Sequence, residues 1–306
     1  MLTGPPDDGT AREGVPGPAA PVGPRRAGVT GSPISHSLSP VLHRAAYAAL
    51  GLDGWTYEAI EVPAGGLGPF VHGLGPEWAG LSVTMPGKEE ALALADEVSS
   101  PARLTGAANT LVRDGGRWLA DNTDVHGLRT ALLEAGLTPP GADGTPLVAT
   151  VLGAGATARS ALVALCELGV QDVTLVVRDQ PRPETLALAE RLGLTPHTRR
   201  LADGPLDLDR SAQDVLLGTL PGTAAAPQVR LGTGAGAAVV MDVAYAPWPS
   251  PLATAVRAIG PQAPSVARGT GMLLHQAVRQ VSLMTGHDGP VEAMRAALHA
   301  AGDGDG

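Results

Sequence analysis

The sequence predicts an α/β protein of two domains, and three observations predict it. The chain has 306 residues and is 44% hydrophobic, enough to bury two cores of ordinary domain size. Aromatic residues make up only 3%, so Ala, Val and Leu must fill the interior. That composition suits parallel strands covered by helices better than an all-β sandwich. Short apolar runs also alternate with helix-length runs along most of the chain.

Taken in order, residues 1–26 are rich in Pro and Gly, as in Pro16-Gly17-Pro18, and predict a disordered tail. Strand-like and helix-like runs follow at 27–30, 40–50, 55–62, 81–84 and 88–96. Residues 137–146 are again rich in Pro and Gly and mark the start of a new folding unit. A strand at 147–152, a glycine-rich turn, a helix and a strand at 172–177 open that unit. Strands at 215–217 and 239–243 continue it, and a helix at 272–284 closes the chain. The predicted arrangement is a substrate-binding domain over 27–124 completed by 264–306, with a dinucleotide-binding domain over 125–263 between them. The site is expected in the cleft, with closure bringing the two halves together.

A net charge of −9 repels nucleic acid and anionic membrane surfaces at long range, so an anionic ligand must be captured locally. The single cysteine, Cys166, lies in an apolar run, which excludes a disulfide framework and fits a reducing compartment. No run of 18 apolar residues and no basic start followed by an apolar stretch is present, which predicts a cytoplasmic protein. Monomer and homodimer both stay open. Among 21 basic residues, 20 are arginines and one is a lysine, Lys88. A guanidinium holds its proton near neutral pH, whereas an ammonium exchanges it, so Lys88 is a candidate acid or base.

Gly153-Ala154-Gly155-Ala156-Thr157-Ala158 follows a strand and opens a helix, the setting of a G-x-G-x-x-A dinucleotide fingerprint. The first glycine permits a tight turn, the second lets the pyrophosphate approach the backbone, and Ala158 allows close helix packing. The domain is therefore of the Rossmann, doubly wound type. Arg178 and Arg182 follow the next strand, where two guanidiniums favour a 2′-phosphate and hence NADP. Asp179 lies between them and leaves NAD open. Thr219-Leu220-Pro221-Gly222 follows a strand and is either a turn bordering the nicotinamide or a plain loop.

Gly31-Ser32-Pro33-Ile34-Ser35-His36-Ser37-Leu38-Ser39-Pro40 places two hydroxyls in a turn before a helix, a setting for a carboxylate. This motif resembles the N-terminal signature of the shikimate dehydrogenase family. Five further matches follow in order: 81–88 (Leu81 through Lys88), 106–110, Asp121-Asn122-Thr123-Asp124, the Gly153 fingerprint, and Gly269-Thr270-Gly271-Met272-Leu273-Leu274-His275-Gln276. Six collinear matches over about 28–286 are far more specific than any one.

The resemblance implies NADPH-dependent reduction of 3-dehydroshikimate to shikimate. It implies that Ser37 and Ser39 hold the substrate carboxylate with Tyr245, and that Thr84, Asn109 and Gln276 bond the ring hydroxyls. Lys88 and Asp124 match the catalytic pair, Lys88 exchanging the proton and Asp124 positioning it, with the reverse division open. Two positions depart from the pattern: Ser82 stands where Asn is usual, and Val125 where Gly is frequent. A shorter residue at 82 predicts a larger pocket or a recruited water, and keeps open NAD-using quinate dehydrogenases and amino-substituted relatives. A ligand-sensing regulator without turnover is the alternative of another class. His36, His43, His126 and His275 lie beside the motifs but not at metal-ligand spacing, so they are read as packing or supporting residues and no metal is expected.

Overall fold

The computed structural model describes residues 25–140, 144–208, 213–222, 224–225, 227–232 and 238–302, so the tail expected over 1–26 lies, up to residue 24, outside the described residues. The first unit comprises β1 (Arg25–Gly31), α1 (Ser39–Ala49), β2 (Trp55–Glu61), α2 (Leu67–His72), β3 (Trp78–Val83), α3 (Lys88–Leu94), β4 (Glu97–Val98), α4 (Ser100–Thr105), β5 (Thr110–Asp114) and β6 (Arg117–Asp121). Its six strands lie in the order β2-β1-β3-β5-β6-β4. β1 runs parallel to β2 and β3, and both central strands are buried on both faces, which their continuous apolar runs require. β5 and β6 form an antiparallel hairpin across the two-residue Gly115-Gly116 turn.

The second unit follows through α5 (Asp124–Glu134), β7 (Leu147–Leu152), α6 (Ala156–Glu167), β8 (Val170–Val177), α7 (Pro183–Arg191), β9 (Thr195–Arg200), β10 (Leu206–Asp207), β11 (Val215–Gly218), β12 (Val229–Arg230), β13 (Val239–Asp242), α8 (Pro251–Arg257) and β14 (Val266–Arg268). Its main sheet has the order β14-β13-β11-β7-β8-β9 and is parallel throughout. The winding therefore reverses between β7 and β11, and the crevice at their carboxyl ends is where such sheets bind ligands. β10 and β12 pair in a small separate ladder.

The chain then returns to the first unit. α9 (Thr270–Thr285) packs on α5, β3 and β5, and α10 (Val291–Ala300) packs on α1 and α9. The return is expected near 264 from the sequence, but β14 is still an edge strand of the second sheet, so the main chain crosses at Gly269. One apolar cluster of Leu42, Ala46, Leu274, Ala277, Val281, Met294 and Leu298 joins α1, α9 and α10. A second, built largely of Ala, Val and Leu, runs from α5 through β7, α6 and β8.

Among the described residues α5 and α9 form the most extensive helix–helix contact, and Gly127 permits their close approach. A Cβ at Gly127 would stand 2.7 Å from the Met272 carbonyl and 3.0 Å from the Gln276 Cβ, and the backbone of α9 cannot yield as a side chain can. Gly127→Ala gains helix propensity of about 1 kcal/mol but forces the two helices apart. The net expected effect is a loss of roughly 1–3 kcal/mol in urea unfolding. A stabilised variant would show that the contact is not tight.

Candidate active site

The loop from β1 to α1 brings the two expected hydroxyls together. Ser37 Oγ accepts the Ser39 backbone N–H at 3.3 Å, and Ser39 is buried at the first position of α1. Pro40 has no N–H and Val41 donates to the Leu38 carbonyl, so the start of α1 adds its helix dipole, not free N–H groups, beside these hydroxyls. Tyr245, from the loop after β13, reaches across from the second unit to line the same cavity as Ser37 and Ser39. Burial pushes the Tyr245 phenol above its usual pKa, so it remains a donor.

Lys88 is the first residue of α3 and Asp124 the first of α5, and Lys88 Nζ lies 2.5 Å from Asp124 Oδ2. Their side chains are 15% and 6% exposed. Asp124 sits at the positive end of its helix, with its own N–H donating to Asn122 Oδ1 at 3.1 Å. Its second oxygen accepts Asn109 Nδ2 at 2.8 Å. Asn109 is itself held on both sides: its Oδ1 accepts the Thr123 backbone N–H and the Thr110 hydroxyl, each at 2.8 Å, and its Nδ2 also reaches Gln276 Oε1 at 3.3 Å.

Ser37, Ser39, Thr84, Lys88, Asn109, Asp124, Tyr245 and Gln276 all line one cavity of about 250 Å³, joined there by Thr157 of the glycine-rich turn. One wall thus carries hydroxyls suited to a carboxylate, and the other an ammonium with a carboxylate partner, able to pass a proton to an oxygen between them. His36, expected only to pack or support, lines the cavity directly. His126 is held below its usual pKa, first by burial and then by the nearby Arg129, and His275 Nε2 lies 3.0 Å from Glu134.

The glycine-rich turn fits a dinucleotide. Gly153 has φ +114°, and a Cβ there would stand 2.7 Å from Thr219 Oγ1, so both backbone and space call for glycine. A Cβ at Gly155 would meet nothing within 4 Å, which leaves the backbone open to an approaching pyrophosphate. α6 starts at Ala156 with no side-chain cap, and Ala158 is fully buried beneath the turn; the Ala154 carbonyl accepts the Thr185 hydroxyl. A recess of about 300 Å³ adjoins the cavity, lined by Thr157, Thr219, Gly222, Met85 and Ala246, so the 219–222 turn borders the space beside the substrate cavity.

At the other end Arg178 is exposed directly after β8. Arg182 is not free: it lies 3.7 Å from Glu89 and 3.9 Å from Glu184. A further recess there is lined by Asp179, Gln180, Thr198, Arg200 and Asp203, so Arg200 joins the cationic set that sequence reading draws from Arg178 and Arg182 alone. Sequence reading also passes over Arg159, which is 3% exposed on α6 and donates to the Thr105 carbonyl at 2.5 Å and to Glu89 at 2.8 Å. It ties the second unit to the helix that starts at Lys88. Its only signal is a cation six residues after Gly153.

Behind the cavity, His43 is fully buried and stacks on Tyr57 at 3.9 Å between ring centroids. Burial lowers its pKa to about 3, against the hydrogen bond to Gln280 that raises it. The unfolded chain binds a proton at His43 below about pH 6.5 while the folded chain does not, so this group lowers stability as pH falls from there towards 3. Between pH 6.5 and 5 the parent should lose roughly 2 kcal/mol more than His43→Leu in urea unfolding. Parallel pH profiles would place the proton sensitivity elsewhere.

The family model of the shikimate dehydrogenase substrate binding domain matches residues 29–111, and that of the shikimate 5′-dehydrogenase C-terminal domain matches 269–299. A relative from Symbiobacterium thermophilum, shikimate dehydrogenase (NADP(+)), is 35% identical over 286 residues, covering 90% of this chain and 94% of its own. The crystal structure of Mycobacterium tuberculosis shikimate dehydrogenase is 44% identical with a TM-score of 0.74, covering 91% of this chain and 100% of its own. That of the Thermus thermophilus shikimate 5-dehydrogenase in complex with NADP(H) and shikimate is 29% identical with a TM-score of 0.69, covering 90% and 99%. With whole-length identity of this order, and the same motifs meeting at one cavity, the chain belongs to the shikimate dehydrogenase family.

Proposed function

We propose that this chain is an NADP-dependent shikimate dehydrogenase, reversibly reducing 3-dehydroshikimate to shikimate on the route to chorismate and the aromatic amino acids. The observation that carries the reading is the Lys88–Asp124 pair at 2.5 Å on the wall of a cavity that also touches the glycine-rich turn. NADPH, held by the glycine-rich turn, would supply the hydride.

The residues of the chain supply orientation and the proton. Ser37, Ser39 and Tyr245 bind the substrate carboxylate, where hydroxyl donors and the dipole of α1 favour an anion. Thr84, Asn109 and Gln276 hold the ring hydroxyls and so present the reacting oxygen to Lys88 Nζ. In reduction Lys88 donates a proton to that oxygen as charge develops on it, and Asp124 orients the ammonium and balances it. In oxidation the proton returns to Lys88. His36, Thr157, Val243 and Tyr245 line both the cavity and the recess, and so mark the junction between the proton-transfer pair and the dinucleotide side.

Arg178 is assigned to the 2′-phosphate, since Arg182 is met by Glu89 and Glu184 and Arg200 by Asp203. The glycine-rich turn, Gly153 to Ala158, would hold the pyrophosphate on backbone N–H groups at the uncapped start of α6. Among the described residues no helix is long and apolar enough to cross a membrane, and the lone cysteine, Cys166, donates to the Leu192 carbonyl at 3.6 Å; a cytoplasmic location is part of the proposal.

Mixing the protein with shikimate or quinate and with NADP or NAD, in all four combinations, tests the reading by the absorbance of reduced nicotinamide. Rapid reduction with shikimate and NADP is expected. A preference for quinate or NAD would move the assignment to the broader-specificity members and make Asp179 the cofactor-selecting residue. Lys88→Ala should lower kcat by about 10²-fold with substrate KM little changed, whereas near-parent turnover would take Lys88 out of the proton path.

A further inference from the structure

We infer that Tyr57, Gln280 and Thr110 are positioning residues, forming with Ser82 a one-way hydrogen-bond relay that fixes the Asn109 amide against Asp124. The inference rests on the reaction proposed above. Tyr57, from β2, and Thr110, from β5, stand behind the cavity lining, while Gln280, one turn after Gln276 on α9, meets the cavity beside Ser82 and Asn109.

The direction of the relay follows from its fixed end. Asn109 Oδ1 accepts a backbone N–H, that of Thr123, and so must be the oxygen; Nδ2 then faces the Asp124 carboxylate. Thr110 has one hydroxyl proton and lies 2.8 Å from Asn109 Oδ1, so it donates there and accepts from Gln280 Nε2 at 2.9 Å. Gln280 Nε2 also donates to the Asn109 backbone carbonyl at 3.2 Å, which turns Oε1 the other way, to accept the Ser82 hydroxyl at 2.7 Å. Having spent its proton, Ser82 accepts from the Tyr57 hydroxyl at 2.5 Å. Tyr57 starts the chain as a neutral donor, because burial pushes its phenol well above the ordinary range.

Every member is buried: Tyr57, Ser82, Gln280, Thr110 and Asn109 are between 0% and 4% exposed, with only Ser82, Gln280 and Asn109 meeting the cavity. In that setting aligned hydrogen bonds polarise one another in the same sense. The oxygen and nitrogen of an amide are nearly equal in size, so packing alone does not choose between the two orientations of Asn109. The wrong one would put a carbonyl oxygen against Asp124 and leave Gln276 Oε1 without its donor. The Thr123 N–H opposes it, and the relay adds a second donor, the Thr110 hydroxyl, aimed at the same oxygen. The relay also explains the serine at position 82: the space predicted for a larger pocket or a water holds the Tyr57 hydroxyl instead. Ser82 then faces the cavity as an acceptor only, so the substrate group it meets is a donor such as a hydroxyl.

The test is the steady-state kinetics of Tyr57→Phe, Thr110→Val and the double variant, each losing polar function with little change of shape, beside Thr110→Ser. Each of the first two should lower kcat about 3- to 10-fold, the scale of one buried hydrogen bond, with KM for NADP unchanged. The double variant should be no slower than the slower single, because both cut one chain, and Thr110→Ser should restore most of kcat. Parent-level kcat in Tyr57→Phe, or losses that multiply in the double variant, would overturn the relay. A folded parent protein inactive with shikimate and NADP would instead overturn the functional reading itself.

Discussion

The contact between Lys88 and Asp124 sets conditions that much of the first unit meets. Two opposite charges at 2.5 Å with little exposure lose most of their hydration, and such a pair persists only if its geometry is good and its remaining polar atoms are satisfied. Both residues are the first of their helices, so each backbone is fixed where its side chain leaves it. The free oxygen of Asp124 takes the amide of Asn109, and Asn109 stands at the start of β5 because its own N–H pairs with the Asp121 carbonyl at the end of β6. The hairpin thus delivers Asn109 and Asp124 to the same place from opposite directions.

Asp124 also begins the helix that leads out of the first sheet, which puts the charge pair at the seam between the units. Arg159 crosses that seam from α6 to Glu89, the neighbour of Lys88, and Tyr245 crosses it from β13 to the loop of Ser37 and Ser39. The cavity is walled from both sides, so the groups suited to binding a carboxylate and moving a proton face the turn suited to a dinucleotide. A chain of net charge −9 repels anions at a distance. Here cationic side chains and uncapped helix starts supply the local positive potential that anionic ligands need.

Much of this is legible in the sequence because local chemistry announces itself locally. The glycine-rich turn between strand and helix, the single lysine among arginines, and the paired serines before Pro40 are each readable within ten residues. Elements set by pairing are harder. The hairpin of β5 and β6 escapes a sequence reading, although Asp114-Gly115-Gly116-Arg117 is a strong turn signal, because the surrounding parallel pattern masks it. Tyr57 and Ser82 are 25 residues apart and Ser82 and Gln280 are 198 apart, so no spacing rule joins them. Gln280 alone has a visible trace, as a second glutamine one helical turn beyond Gln276 on a helix otherwise largely apolar on its buried face. The role of Arg182 reads differently in three dimensions because the carboxylates of Glu89 and Glu184 meet it there.

The central claim is an orientation: the substrate carboxylate lies against Ser37, Ser39 and Tyr245, and the reacting oxygen lies against Lys88 and Asp124. A crystal structure of the protein with shikimate and NADP bound tests it most directly. The account predicts the carboxylate within hydrogen-bond distance of the two serine hydroxyls, and the hydroxyl at the reacting carbon within the same distance of Lys88 Nζ, with that carbon facing the recess beside Thr219. A ring bound the other way round, with its carboxylate paired to the Lys88 ammonium, would contradict it.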